Sequence, residues 1–292
     1  MQKLPPIEVS EICHELSEDN PKSIRQVSGG NIHSAWQIEF ENKKFFIKRN
    51  GRSKKFLKFE EYCLRKIYPN TNEKYLRVPK VITYLDVEDV EILLMEWIDF
   101  QNNDQIMLGK GLGEMHLKSH ESNPKKFGFP IEGYIGFTNQ KKGWATSWID
   151  CFIDLRINPQ LSILQNNFLN SKSKQKIIEK IKSVLRKHKP LNSLIHGDLW
   201  SGNAGVDQNG KGVLFDPASW WADCEVDIAM SRLFGGFRNE FYEEYYKVIP
   251  LKEGFEKRMI IYNFYHILNH ANMFGGSYYQ EAENYIKKIL DM

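Results

Sequence analysis

Three acidic or amide side chains near the middle of the chain have a spacing that could do chemistry. They lie in Leu194-Ile-His-Gly-Asp-Leu-Trp-Ser-Gly-Asn203, followed by Val213-Leu-Phe-Asp216-Pro-Ala. Phosphoryl transfer needs a carboxylate at the attacking hydroxyl and hard oxygen ligands for Mg²⁺, because it is accelerated chiefly by positioning and by neutralising phosphate charge. Asp198 would orient a hydroxyl and accept its proton, Asn203 would ligate a metal, and Asp216, closing a short apolar strand, would be the second metal ligand. An Asp five residues before an Asn is by itself more simply a capped loop. The third Asp after a strand makes coincidence a poor explanation.

The same chemistry asks for a lysine on a strand to hold the α and β phosphates, and for a helix glutamate to hold that lysine. Lys48 closes Lys44-Phe-Phe-Ile-Lys48, and strand alternation puts it on one face with Phe46, which could roof an adenine. In the next helix Phe56, Cys63, Leu64 and Ile67 form an apolar stripe with Glu60 inside it, so Glu60 needs a partner and Lys48 is the obvious one. Pairing with surface Lys54 or Lys58 is the plainer alternative. Ser28-Gly-Gly-Asn-Ile-His33 could bring backbone N–H groups of Gly29, Gly30 and Asn31 against phosphates, although two glycines more often mean a hairpin turn. Met95, Glu96 and Trp97 end a strand where a hinge backbone would meet adenine.

The elements that must position these residues follow from periodicity. Residues 24–49 alternate as three antiparallel strands, 53–67 turn helical, and 79–86 and 90–97 return to strands, giving the order βββαββ. Beyond residue 98 the pattern is mostly helical, near 104–120, 144–156, 171–187, 225–247 and 255–290, with short strands around 193–195, 204–207 and 213–216. The expectation is an α+β, bilobal protein-kinase-like fold. Its N-terminal ATP-binding lobe would cover residues 1–98 and its helical C-terminal lobe residues 99–292, with the site at the seam.

The chain resembles the fructosamine kinase (ketosamine 3-kinase) family, within the wider group of aminoglycoside and choline kinase-like enzymes. The resemblance runs over nearly the whole chain. It is carried by Gly29-Gly-Asn-Ile32, Phe46-Ile-Lys48, Leu94-Met-Glu-Trp97, Phe127-Gly-Phe129 with Gly136, His196-Gly-Asp-Leu-Trp-Ser-Gly-Asn203, Phe215-Asp-Pro-Ala-Ser219, Glu225-Val-Asp-Ile-Ala-Met230, Phe234-Gly-Gly-Phe237 and Leu268-Asn-His270. It implies an ATP- and Mg²⁺-dependent kinase that phosphorylates a hydroxyl, typically O-3, of a ketosamine, either a small molecule or a glycated protein lysine, in a deglycation role. It also implies that Trp200, Trp220 and Trp221 help form the acceptor side, with core packing equally open for Trp220 and Trp221. Asn31 stands where some relatives carry Cys, which removes a redox switch there, and Ala222-Asp223 departs from the more usual Gly-His or Gly-Asp.

Composition bounds the rest. The 292 residues carry 40 Lys and Arg against 37 Asp and Glu, a net charge of +3, with 41% hydrophobic and 26% charged residues. This is ordinary globular composition without the basic stripe of a nucleic-acid binder. Four scattered cysteines imply no disulfide framework, and neither a signal peptide nor a membrane span is read, so a cytoplasmic enzyme is expected. Monomer and homodimer stay open. Gly109-Lys-Gly-Leu-Gly113 lies in a helical pattern with no strand before it and reads as close helix packing. His116 and His120, like His266 and His270, are four apart but lack a third metal ligand. Two rival functions remain: a kinase for an aminoglycoside, choline or methylthiosugar, and a silent nucleotide-binding module, which would be expected to have lost one of Lys48, Asp198, Asn203 or Asp216.

Overall fold

The computed structural model describes residues 3–27, 34–164 and 170–292. Helix α1 (Pro6–Leu16) precedes strands β1 (Ser23–Val27), β2 (Ser34–Glu39) and β3 (Lys44–Asn50). Helix α2 (Phe56–Ile67), a short β4 (Leu76–Arg77), β5 (Val81–Val87) and β6 (Val90–Glu96) follow. Strands β1, β2, β3, β6 and β5 form one antiparallel sheet in that order. Its alternation sorts two faces: Phe45, Ile47, Ile92 and Leu94 pack with Trp36 and Ile38 beneath Ile12 of α1, whereas Phe46 and Leu93 face the larger core with α2. Glu8 of α1, almost fully buried, accepts three bonds from the Arg49 guanidinium at 2.8–2.9 Å. The order is therefore αβββαβββ. The expected βββαββ began at residue 24 and so lacked α1, and it also lacked the two-residue β4.

The rest of the chain is β7 (Phe100–Gln101), α3 (Ile106–Glu121), the short strands β8 (Phe127–Phe129), β9 (Gly133–Ile135), β10 (Thr138–Gln140) and β11 (Gly143–Ala145), of which β9 pairs with β10 and β8 with β11, and then α4 (Trp148–Phe152). After α4 come a π turn (Ile153–Ile157), α5 (Asn158–Ile163), α6 (Ser171–Leu185), β12 (Asn192–Ile195), β13 (Ala204–Asp207), β14 (Gly212–Leu214), β15 (Trp220–Asp223), α7 (Glu225–Ser231), α8 (Asn239–Val248), α9 (Phe255–Phe274) and α10 (Ser277–Leu290). The helices expected over 225–247 and 255–290 are each broken in two. The breaks fall at Gly235 and Gly236 and at Gly275 and Gly276, all four with positive φ, a conformation in which a glycine ends a helix without steric cost. The three glycines of α3 do serve close packing: a Cβ on Gly109 would sit 2.0 Å from the Phe241 carbonyl oxygen of α8.

The two parts are stitched together. In a four-stranded sheet of order β4-β14-β13-β7, residues 76–77 of the first part pair with β14, the strand that leads into Asp216. Helix α2 packs its Phe56 and Phe59 rings against Tyr134 in β9 at 4.5 and 6.2 Å. Among the described residues no helix is long and apolar enough to cross a membrane.

Candidate active site

The loop after β12 is held from below by one carboxylate. Asp227, in the first turn of α7 and fully buried, accepts from the backbone N–H of His196 (2.7 Å) and of Gly197 (2.8 Å), and lies 3.2 Å from His116 Nε2. Burial acts to raise the Asp227 carboxyl, but His116, His196 and the Gly197 amide outweigh it and hold the group below its usual range. His196 is a strut, not an acid or base: its Nδ1 accepts from Asp198 N–H (3.3 Å), its Nε2 donates to the Phe215 carbonyl (2.8 Å), and burial lowers its pKa. Its own carbonyl accepts from Ala218 N–H at 2.9 Å. Gly197 has φ +85°, and a Cβ there would lie 2.1 Å from the Ala218 carbonyl oxygen, so only glycine lets the two segments meet.

This cross-bracing brings the predicted carboxylates together. Asn203 Nδ2 donates to the Asp198 carbonyl (2.9 Å) and carboxylate (3.0 Å), which turns the amide oxygen Oδ1 away from Asp198. The Phe215 N–H donates to the Asn203 carbonyl at 3.0 Å, seating Asp216 beside it. Asp216 has φ +56°, a left-handed conformation uncommon for a residue with a side chain and typical of functional sites. Burial pushes the Asp198 carboxyl up to about 7, with Asn203 opposing and the charges of Asp216 and Asp227 adding to the rise.

Lys48 reaches this group from β3. Its Nζ lies 2.7 Å from Glu60 Oε1 and also bonds Asp216 Oδ1. Burial would lower the lysine, but Asp216 and Glu60 together hold it above its ordinary value. Glu60 is itself pushed up, to about 7, by burial against the pull of Lys48. The surface partners weighed for Glu60, Lys54 and Lys58, bond elsewhere: Lys54 to Asn139 and Lys58 to Glu61. Phe46 is half-buried with Trp97 at 6.2 Å. The N–H groups of Glu96 and Trp97 donate to the carbonyls of Lys80 (3.0 Å) and Lys44 (3.4 Å), the Glu96 carboxylate pairs with Arg77, and Met95 is buried. Gly29, Gly30 and Asn31 lie outside the described residues.

The tryptophans separate. Trp200 is half-buried over Gly202, where a Cβ would lie 2.3 Å from its ring, with Phe234 at 6.4 Å. Trp221 is half-buried in β15. Trp220, on the opposite face of the same strand, is fully buried, stacked on Trp148 at 5.6 Å beneath the Arg156 guanidinium at 4.0 Å. Packing is therefore its role, because a side chain with no accessible surface has none to offer an acceptor. Asp227 had no assigned role in the sequence reading. The available signal was an acidic residue inside the apolar run Val226-Asp-Ile-Ala-Met230, which must find buried donors. Away from the cleft, His188, Asp223 and Glu225 cluster tightly, but His188 Nε2 bonds the Asp223 carboxylate, which also accepts from Tyr262, and the Glu225 oxygens are taken by Arg258.

Asn203 and Asp216 offer an amide oxygen and a carboxylate, a donor set suited to a hard divalent cation. Comparison with known proteins agrees with this chemistry. The sequence profile described as fructosamine kinase matches residues 8–292. A Synechocystis protein named probable ketoamine kinase is 35% identical over 269 residues, covering 91% of this chain and 90% of its own. A chloroplastic protein-ribulosamine 3-kinase of rice is also 35% identical, over 92% of this chain and 79% of its own length. Among solved structures, a Haemophilus somnus protein provisionally named a fructosamine-3-kinase superposes with a TM-score of 0.84 at 27% identity, covering 97% and 96% of the two chains. An aminoglycoside phosphotransferase solved with ADP and hygromycin B shares the fold alone, with a TM-score of 0.63 at 15% identity over 97% of each chain.

Proposed function

The chain belongs to the fructosamine kinase family, and from that premise we propose how its residues transfer the γ-phosphoryl group of ATP to a hydroxyl, O-3 by the family pattern, of a ketosamine. The observation that carries the reading is the convergence of Lys48, Glu60 and Asp216 from three separate elements, next to the Asp198–Asn203 pair. Lys48, freed from Asp216 and steadied by Glu60, would hold the α and β phosphates. Phe46 would cover the adenine beside the strand end at Met95, Glu96 and Trp97, and the backbone N–H groups of Gly29, Gly30 and Asn31 would serve the phosphates. Asn203 and Asp216 would hold Mg²⁺, which when bound neutralises charge on the transferring phosphate. Asp198 would hold the acceptor hydroxyl in line with the γ-phosphorus. The hydroxyl oxygen forms the new P–O bond, its proton passes to the Asp198 carboxylate, and the bond from the γ-phosphorus to the bridging oxygen breaks to leave ADP. Trp200 and Trp221 would flank the acceptor.

The acceptor we infer is a ketosamine, free or on a protein lysine, as the names of the Synechocystis and rice relatives suggest. The test is ATP consumption by the purified protein with ketosamines, glycated protein, aminoglycosides, choline and plain sugars as acceptors. Turnover with the ketosamines or the glycated protein is expected, and turnover confined to the other three classes would overturn the acceptor assignment. Chelation of divalent metal should stop turnover and added Mg²⁺ restore it. Turnover that survives chelation would remove the roles given to Asn203 and Asp216.

A further inference from the structure

Helix α2, which carries Glu60, starts without a cap of its own. Lys55 at the N-cap position makes no side-chain bond to the helix, and the first turn contains no acidic residue. The N–H groups of its second and third residues, which an N-cap side chain ordinarily takes, instead point at a carboxylate from a distant strand. Glu91, at the start of β6 and fully buried, accepts from Lys58 N–H at 2.9 Å through Oε1 and from Leu57 N–H at 3.2 Å through Oε2. The same two oxygens are tied to the sheet: Tyr84 in β5 donates to Oε1 at 2.9 Å and Asn50 at the end of β3 donates to Oε2 at 2.6 Å. Each oxygen thus accepts one bond from the helix and one from the sheet. Its four hydrogen-bond donors are two N–H groups of the helix N-terminus, a phenol and an amide, and Lys55, a basic group near it, bonds Asp86 instead.

Asn50 lies two residues beyond Lys48 on β3, and Glu91 is its cross-strand partner. The strand that presents Lys48 and the helix that presents Glu60 are therefore joined twice within about one helical turn, by Glu91 at the helix start and by the Lys48–Glu60 pair just beyond it. The geometry points to Glu91 as a positioning residue for phosphoryl transfer: it caps α2 from the sheet and so fixes where Glu60 meets Lys48. A cap supplied from within the helix would stabilise α2 equally well but would leave its register against β3 free. This inference rests on the reading of Lys48 and Glu60 given above.

Glu91→Gln keeps the shape and replaces one accepting oxygen by an amide that faces donors. It should lower kcat/KM for ATP by about tenfold, the scale of losing charge-assisted bonds at a buried acceptor, while leaving KM for the ketosamine at saturating ATP unchanged. Lys55→Asp added to Glu91→Gln supplies a cap within the helix. The double variant should regain the melting temperature but not the ATP parameters, and it provides a folded protein if Glu91→Gln alone is too unstable to assay. In a Glu60→Gln background, Glu91→Gln should add less than about twofold, because it acts through Glu60. Wild-type use of ATP by Glu91→Gln, or recovery of both stability and ATP use by the double variant, would reduce Glu91 to a structural cap. If Glu60→Gln alone leaves ATP use intact, the Lys48–Glu60 reading itself fails and takes this inference with it. Impairment by Glu60→Gln with none by Glu91→Gln would sink the inference alone.

Discussion

Lys48 bridges Glu60 and Asp216 with its side chain only 8% exposed, so the three charges form one unit. Removing the cation leaves a buried carboxylate uncompensated, which costs about 3 kcal/mol or more. Lys48→Met should therefore lose both ATP use and several degrees of melting temperature. Lys48→Met with Glu60→Leu should recover much of the stability and none of the activity, and a double variant as unstable as the single would refute the charge argument. Asp198 behaves in the opposite way, because burial already disfavours its ionised form. Asp198→Asn keeps the shape without the charge, so the melting temperature at pH 8 should hold or rise while kcat falls by about 10²–10⁴, the scale of general base catalysis. Near wild-type turnover would remove Asp198 from the mechanism. These residues were legible in sequence because chemistry fixes their types and a strand or loop fixes their spacing. Trp220 was not, because its fate depended on which face of the unrecognised strand β15 turned inward.

At the scale of elements, strands with clean alternation and helices with a continuous stripe were readable, and the departures have local causes. Paired glycines with positive φ split two long helical patterns, and the three-residue strands β8 to β11 are too short to show a period. The motif spacing put Asp198 and Asp216 in one site, but the backbone approach of Gly197 to Ala218 that brings them together was invisible. A methyl group there would meet the Ala218 carbonyl in a left-handed conformation, whereas at Gly210, also left-handed with φ +79°, nothing lies within 4 Å. Gly210→Ala should cost only the backbone penalty of about 1 kcal/mol. Gly197→Ala should cost more and also reduce kcat at least about tenfold by prising Asp216 from Asp198. Equal melting temperatures and equal turnover in the two variants would show that the approach does not matter.

In the whole molecule, the expected lobes at 1–98 and 99–292 are joined where β4 pairs with β14, so the strand leading into Asp216 belongs to a sheet with strands from both. Pairings between residues more than a hundred positions apart leave no trace in periodicity. Nor does the state of a histidine inside the larger core. His266 of α9 is fully buried, with both ring nitrogens lacking hydrogen-bond partners among the described residues and the Tyr265 ring at 5.0 Å. Burial, reinforced by His270 and only partly offset by Asp227, lowers its pKa from 6.5 to about 3. The folded state thus keeps the ring neutral where the unfolded chain would protonate it. A base with a depressed folded pKa contributes stability that is complete above its unfolded value and is lost as pH falls through 6.5 toward 3. Between pH 7 and pH 5 that loss is about 2 kcal/mol. His266→Phe removes the titration while keeping an aromatic ring, so the fall in melting temperature from pH 7 to pH 5 should shrink by several degrees relative to the parent. An identical fall in the two proteins would mean that the ring is solvated or paired, and that acid sensitivity arises elsewhere.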